Sequence, residues 1–227
     1  MTPYPLVATE AANYAADRTS QFDGPLAAAA EWTDSNTPIP GLMSGLAEAR
    51  LLEALIVVGA ARRVLEIGTF TGVGTLTMAA ALPPGGRVTT LEVDPDVAAV
   101  ARSHFETSAS RDRIELIVGD ALETLAQLDG PFDLVYIDAW KNDYPAYYDA
   151  VLPKLADRGI IVADNLFREG AALDPAASDD GTVGIREFAR RVQSDNRVHN
   201  VLLTVGDGMM LAWPKPSQHG DSPIRTR

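Results

Sequence analysis

Short apolar runs alternate along this chain with longer stretches in which apolar residues return every third or fourth position. Val64 to Ile67, Arg87 to Val93, Ile114 to Val118, Phe132 to Ile137 and Gly159 to Ala163 read as buried strands. Leu42 to Gly59, a segment opening at Thr75, Pro95 to Ser108, Ala121 to Leu128 and Tyr144 to Ala156 carry helical spacing. Strands alternating with helices predict a doubly wound α/β fold, with a mostly parallel sheet and helices on both faces. The end of the chain differs. Val198 to Val205 and Met209 to Trp213 flank Gly206-Asp207-Gly208, a hairpin signal, so the predicted sheet has seven strands and finishes in an antiparallel pair.

Ahead of this core, residues from about 6 to 34 suggest two short helices broken at Asp23-Gly24-Pro25, and Asn36 to Gly41 is a loop. The chain therefore divides into a helical cap or dimerisation segment (1–41), a main domain (42–214) and a tail expected to be disordered (215–227). Leu166 to Gly184, heavy in Ala, Asp and Gly, is expected to form a mobile flap.

Composition narrows the function. At 227 residues and 46% hydrophobic content the chain buries a full core. A net charge of −12 repels phosphate backbones, and Arg62-Arg63 and Arg190-Arg191 are isolated pairs, so a nucleic-acid partner is disfavoured. With no cysteine, disulfides and thiolate metal sites are excluded. No apolar stretch reaches the roughly 18 residues of a membrane span, and Met1 to Pro5 lack an export signal, so a soluble cytoplasmic protein is expected.

The candidate chemistry starts at Val64-Leu65-Glu66-Ile67-Gly68-Thr69-Phe70-Thr71-Gly72-Val73-Gly74. A strand, a glycine turn and a helix make a nucleotide-type cradle, and Glu66 puts an acid at the tip of an otherwise apolar strand. A dinucleotide site would show Gly-x-Gly-x-x-Gly. Here the order is Gly-x-x-x-Gly-x-Gly. Acids also end the later strands. Glu92 and Asp94 follow the second, Asp120 the third, Asp138 the fourth, and Asp164-Asn165 the fifth. Asp94 reads as a helix cap; Asp120 is either a cap or a ligand for an adenine amine. Asp138, Asp164 and Asn165 are oxygen donors at neighbouring strand ends, which suits a hard divalent cation.

The glycine order after Glu66 resembles the first motif of class I S-adenosylmethionine-dependent methyltransferases, which have a Rossmann-like fold. Asp138-x-x-Lys141 followed by Asp164-Asn165 resembles the cation-dependent catechol and caffeoyl-CoA O-methyltransferases, bacterial branch, over about Met43 to Trp213. The resemblance implies S-adenosylmethionine held by Met43, Glu66, Gly68, Phe70, Gly72, Gly74, Thr75, Glu92, Asp120, Ala121, Asp138 and Trp140. It implies a cation, Mg²⁺ first with Mn²⁺ or Ca²⁺ as alternatives, on Asp138, Asp164 and Asn165, and catalysis by Lys141 and Asp138. The acceptor is then a catechol-like phenol and the assembly a homodimer. A phenol must lose its proton before it attacks the sulfonium methyl, and a dication favours that loss. Lys141 is the candidate base, provided that desolvation or the cation brings it below the free lysine value near about 10.4.

Some positions depart from the pattern. Gly74 stands where many members have serine, Val73 where tyrosine is usual, and Ala139 where the mammalian catechol enzymes have histidine; Trp140 matches their tryptophan. The resemblance then implies a cofactor contact that is either missing here or replaced, with Thr75 as the candidate replacement. Three other readings compete: a tRNA hydroxyuridine O-methyltransferase, opposed by the acidity; a nicotinamide-dependent oxidoreductase, opposed by the glycine spacing; and a non-catalytic cofactor-binding protein, opposed by Asp138, Lys141, Asp164 and Asn165 occurring together.

Overall fold

A computed structural model describes residues 7–216. Strands β1 (Arg63–Ile67), β2 (Arg87–Glu92), β3 (Ile114–Val118), β4 (Phe132–Ile137), β5 (Leu155–Ala163), β6 (Val198–Leu203) and β7 (Met209–Pro214) form one sheet in the order β3-β2-β1-β4-β5-β7-β6. The first five are parallel, and β7 runs antiparallel to both β5 and β6. This is the sheet that the apolar pattern predicts. The strand order reverses between β1 and β4, and ligands of open α/β sheets sit beyond the carboxyl ends of the strands at such a reversal.

Eight helices surround the sheet among the described residues: α1 (Thr9–Ala16), α2 (Gly24–Asn36), α3 (Leu46–Gly59), α4 (Val73–Ala81), α5 (Pro95–Glu106), α6 (Ala121–Gln127), α7 (Tyr144–Val151) and α8 (Asp180–Ser194). Successive strand residues point to opposite faces. Leu65 and Ile67 of β1 therefore join Leu125 of α6, Tyr148 of α7 and Phe188 and Val192 of α8 on one face. Val64 joins Leu52 and Ile56 of α3 and Met78 of α4 on the other. A smaller cluster, Ala29, Val73, Leu76, Ala101 and Phe105, packs α2 and α5 around the start of α4. No helix of the described residues is long and apolar enough to cross a membrane.

Several boundaries differ from the sequence expectation, and the larger shifts have a physical reason. Helix α3 begins at Leu46 rather than Leu42, because Pro40–Leu42 form a 3-10 turn and Gly45 takes the N-cap. Met43 and Ser44 are thereby left as an extended lip. Helix α7 ends at Val151, because Pro153 has no N–H to continue the α-helical ladder and the chain tightens into a 3-10 turn, and it enters β5 earlier than Gly159. The largest correction concerns the expected flap, which is built structure. The Asp179 side chain caps α8 by accepting from the Thr182 N–H, and Ile185, Phe188 and Val192 bury one helical stripe. The Arg186 guanidinium then donates to the carbonyls of Ala171 (3.0 Å), Ala172 (3.1 Å), Ala177 (2.7 Å) and Asp174. Residues 1–6 and most of the expected disordered tail, 217–227, lie outside the described residues.

Phe188 is fully buried, with edge contacts to the rings of Tyr144 (5.5 Å between centroids) and Tyr148 (5.9 Å). Phe188→Ala is expected to lower the unfolding free energy by about 3–5 kcal/mol. Equilibrium urea denaturation measures this, and a loss below about 1 kcal/mol would show that α8 is peripheral to the core.

Candidate active site

At the carboxyl ends of β1 and β4 lies a narrow cleft. Its walls are the lip Leu42–Ser44, Glu66, the loop from Gly68 to Thr71, Val73, Gly74 and Asp138. The loop is shaped from inside the protein. Gly68 has φ +98°, and a Cβ there would drive into the Asp138 carbonyl. A Cβ on Gly72 would meet the Phe105 ring, and one on Gly74 would come within 2.8 Å of Glu66 Oε1 and 3.2 Å of Ser44 Oγ. Thr71 is clamped from two helices: Thr33 of α2 donates to its hydroxyl at 2.8 Å, and His104 Nδ1 of α5 lies 2.9 Å from its carbonyl oxygen. At the loop tip the Phe70 N–H donates to Glu92 Oε2 at 2.8 Å, while Glu92 Oε1 accepts from the Val93 and Asp94 N–H groups at 2.9 and 3.1 Å.

Glu66 is 1% exposed at the floor of this cleft. Thr90 donates to it at 2.6 Å, Thr75 donates to its Oε2, and Thr69 in turn donates to Thr90 at 2.6 Å. Burial pushes the Glu66 carboxyl up to about 8, against the two threonine hydrogen bonds and with smaller contributions from the charges of Asp138 and Glu92. Thr75 is therefore turned inward to support Glu66. The hydroxyl that stands nearest Gly74 in the cleft is that of Ser44, which the sequence sets with Met43 just ahead of the sheet.

The tips of β4 and β5 bring three of the expected polar residues together. Lys141 Nζ donates to Asp138 Oδ1 at 2.7 Å and to the Tyr144 hydroxyl at 3.0 Å. Asp164 is 3% exposed, with the Asn165 N–H on its Oδ1 at 2.7 Å and the Tyr136 hydroxyl on its Oδ2 at 2.9 Å. That same hydroxyl lies 3.4 Å from Asp138 Oδ2 and 3.2 Å from Ser44 Oγ. Burial, and then the charge of Asp138, push Asp164 up to about 7. Glu48 of α3 and Asp207 of the β6–β7 turn extend the acidic surround; both are raised, chiefly by burial. Asn165 adopts the left-handed region, φ +59°.

Other predicted residues fall at the margins. Asp94 caps α5 and Asp120 caps α6, the latter accepting from the Glu123 N–H at 2.9 Å, with Ala121 as the first helical residue. Trp140 is 68% exposed beside the acid pair. Tyr136 and Glu48 do not stand out as site residues in the sequence. The usable signal for Tyr136 is its spacing, because a residue two before Asp138 on a strand shares its face. Among the described residues no group of three or more His, Cys, Asp and Glu side chains converges as a metal site.

A mostly parallel seven-stranded sheet with a terminal antiparallel pair, carrying a glycine loop and strand-end acids at its reversal point, defines an S-adenosylmethionine-dependent methyltransferase fold. Within that class the chain belongs to the O-methyltransferase family, whose sequence profile matches residues 19–215. It is similar to the catechol O-methyltransferase of Mycobacterium tuberculosis, 38% identical over 86% of this chain and 91% of the relative. That of Niastella koreensis is 34% identical over 78% of this chain and 84% of the relative. Among solved structures, TomG from Streptomyces achromogenes, an O-methyltransferase involved in tomaymycin synthesis and determined in complex with S-adenosylmethionine, superposes with TM-score 0.84 at 32% identity, covering 95% of this chain and 100% of its own. The O-methyltransferase from Bacillus cereus, in complex with S-adenosylhomocysteine, gives 0.83 at 33% identity, covering 91% and 98%. The protein is thus an S-adenosylmethionine-dependent O-methyltransferase of the catechol and caffeoyl-CoA type.

The raised Glu66 makes stability depend on pH with a defined sign. Folding takes up a proton here between the ordinary value of 4.5 and about 8, so the contribution is complete below 4.5 and is lost as pH rises through about 8. Wild-type urea midpoints are expected to fall relative to those of Glu66→Gln across that interval. A constant offset between the two would show Glu66 ionised throughout.

Proposed function

We propose that this enzyme moves the methyl group of S-adenosylmethionine to one hydroxyl of a catechol-like acceptor with the help of a divalent cation. The observation that carries the reading is the meeting of Asp138 and Asp164 at one tyrosine hydroxyl, on adjacent strand tips beside the glycine-loop cleft. The donor set fits such a cation. Asp138, Asp164 and Asn165 offer two carboxylates and a carboxamide, all hard oxygen donors, and the charge of Asp138 adds to the cost of ionising Asp164, a cost that a cation would relieve. These three residues would hold it. When bound, the cation would supply the charge that favours the ionised form of a chelated phenol.

The chain's own residues carry the remaining roles. Met43, Glu66, Gly68, Phe70 and Gly74 border the cleft and would receive the methionine end of the cofactor, with the Glu66 carboxylate facing its ammonium group. Gly72 and Thr75 act on that site through Phe105 and Glu66. Glu92 would accept from the ribose hydroxyls, Asp120 and Ala121 would border the adenine, and the exposed Trp140 indole would cover it. In its neutral form the Lys141 amine takes the phenolic proton, the acceptor oxygen bonds to the methyl carbon, and the carbon–sulfur bond breaks to give an aryl methyl ether and S-adenosylhomocysteine. Asp138 orients Lys141 through the 2.7 Å contact. Holding oxygen and methyl in line supplies much of the acceleration. The family likeness supports a homodimer, and α1, which buries none of its own residues, offers a surface for a second copy. A cytoplasmic location accords with the cysteine-free composition.

The test is S-adenosylhomocysteine formation with a panel of catechols, in EDTA and with Mg²⁺, Mn²⁺ or Ca²⁺ restored. Product that disappears with EDTA and returns with a cation is expected. Asp138→Ala is expected to lower cation-dependent turnover by more than about 100-fold while leaving S-adenosylmethionine affinity within about twofold. Full turnover in EDTA would remove the cation from the mechanism. Tight cofactor binding without turnover on any catechol would move the acceptor elsewhere, with hydroxyuridine-containing tRNA tried next.

A further inference from the structure

Tyr136 is 1% exposed, its backbone paired with Glu66 on β1 and Val162 on β5. Phenylalanine would fill the same volume in that core, so packing alone does not require the hydroxyl. The hydroxyl is where the two halves of the site meet: 2.9 Å from Asp164 Oδ2, 3.4 Å from Asp138 Oδ2 and 3.2 Å from Ser44 Oγ. A phenol has one proton to give and lone pairs with which to accept. The shortest contact takes the proton to Asp164, and Ser44 donates to the phenol oxygen. Asp164 is then fixed at both oxygens, by Tyr136 on one and the Asn165 N–H on the other. Each oxygen keeps a lone pair free.

Resting on the cation reading above, we propose that Tyr136 is a positioning residue whose hydroxyl fixes Asp164 beside Asp138 for a divalent cation and ties that carboxylate to Ser44 on the lip of the cofactor cleft. The Asp164 carboxylate would otherwise turn away from its like-charged neighbour Asp138, and the tyrosine ring, locked in the sheet core, gives the hydroxyl a fixed place from which to hold it. Ser44 lines the cleft, so the same hydroxyl links the position of the methyl donor to that of the acceptor.

The experiment measures Mn²⁺ binding directly, from the electron paramagnetic resonance signal of the free ion, in wild type and Tyr136→Phe. Calorimetric S-adenosylmethionine affinity, thermal unfolding and the Mn²⁺ dependence of turnover are measured alongside. Tyr136→Phe is expected to bind Mn²⁺ about 10- to 100-fold more weakly, with cofactor affinity within about twofold and kcat recovering toward wild type at saturating Mn²⁺. If wild type itself binds no Mn²⁺, the cation reading falls and this proposal with it. If wild type binds and Tyr136→Phe binds equally well, the positioning role alone is overturned. Equal weakening of Mn²⁺ and cofactor binding with a lower unfolding temperature would mark the hydroxyl as merely structural and also overturn it. Should Tyr136→Phe fail to fold, Ser44→Ala carries the test: Mn²⁺ binding weakened a few-fold supports the proposal, and unchanged affinity overturns it.

Discussion

The structure depends on a backbone contact between two strand tips. β1 and β4 are neighbours in the sheet, and beyond them Gly68 lies so close to the Asp138 carbonyl that no side chain fits between. One tip carries the glycine loop and the other Asp138 and Lys141. In the proposed reaction donor and acceptor must lie within bonding reach, and the two loops leave adjacent parallel strands side by side. The hinge-free join also explains why the lip, α3 and the β6–β7 turn converge here: each covers one side of the same seam.

Carboxyl groups gather along that seam. Glu66 and Asp164 are nearly closed off from solvent, and the charges of Asp138 and Glu92 add to the cost of ionising Glu66. Threonine hydroxyls, a tyrosine hydroxyl and backbone N–H groups supply the compensating hydrogen bonds. Such neutral donors stabilise the carboxylates without cancelling their charge. Lys141 pairs with Asp138 and its charge also favours ionised Asp207, and a further cationic group at the seam would favour ionisation of the buried carboxyls. A sulfonium cofactor is itself a cation, so the same coupling acts on the donor as well as on the acceptor side.

Much of this is legible in the sequence because parallel strands buried on both faces are apolar runs, and an acid ending such a run is costly enough to stand out. Glu66, Glu92, Asp138 and Asp164 are visible on that ground alone. Tyr136 is not, since a tyrosine inside an apolar strand reads as core and the partners of its hydroxyl lie on β5 and the α3 lip, which only tertiary pairing brings near. Helix α8 is hidden differently. The Ala, Asp and Gly of the preceding segment suggest a loop, and they outweigh the Ile185, Phe188 and Val192 stripe beyond it. Asp120 shows the limit of residue type and spacing: its capping bond to the Glu123 N–H is observed, and capping with one oxygen leaves the other free.

The glycines of the loop carry a consequence for altering the donor. Gly68, Gly72 and Gly74 are held small by the Asp138 carbonyl, the Phe105 ring and the Glu66 carboxylate, atoms of the protein itself. Widening the cleft for donors with bulkier alkyl groups cannot start from that loop, whose outline is fixed by its own scaffold. The adaptable wall is the lip, where Leu42 is largely exposed and Met43 is only partly covered. Natural and laboratory diversification of donor size in such a scaffold should therefore run through the segment before α3, leaving the cofactor motif unchanged.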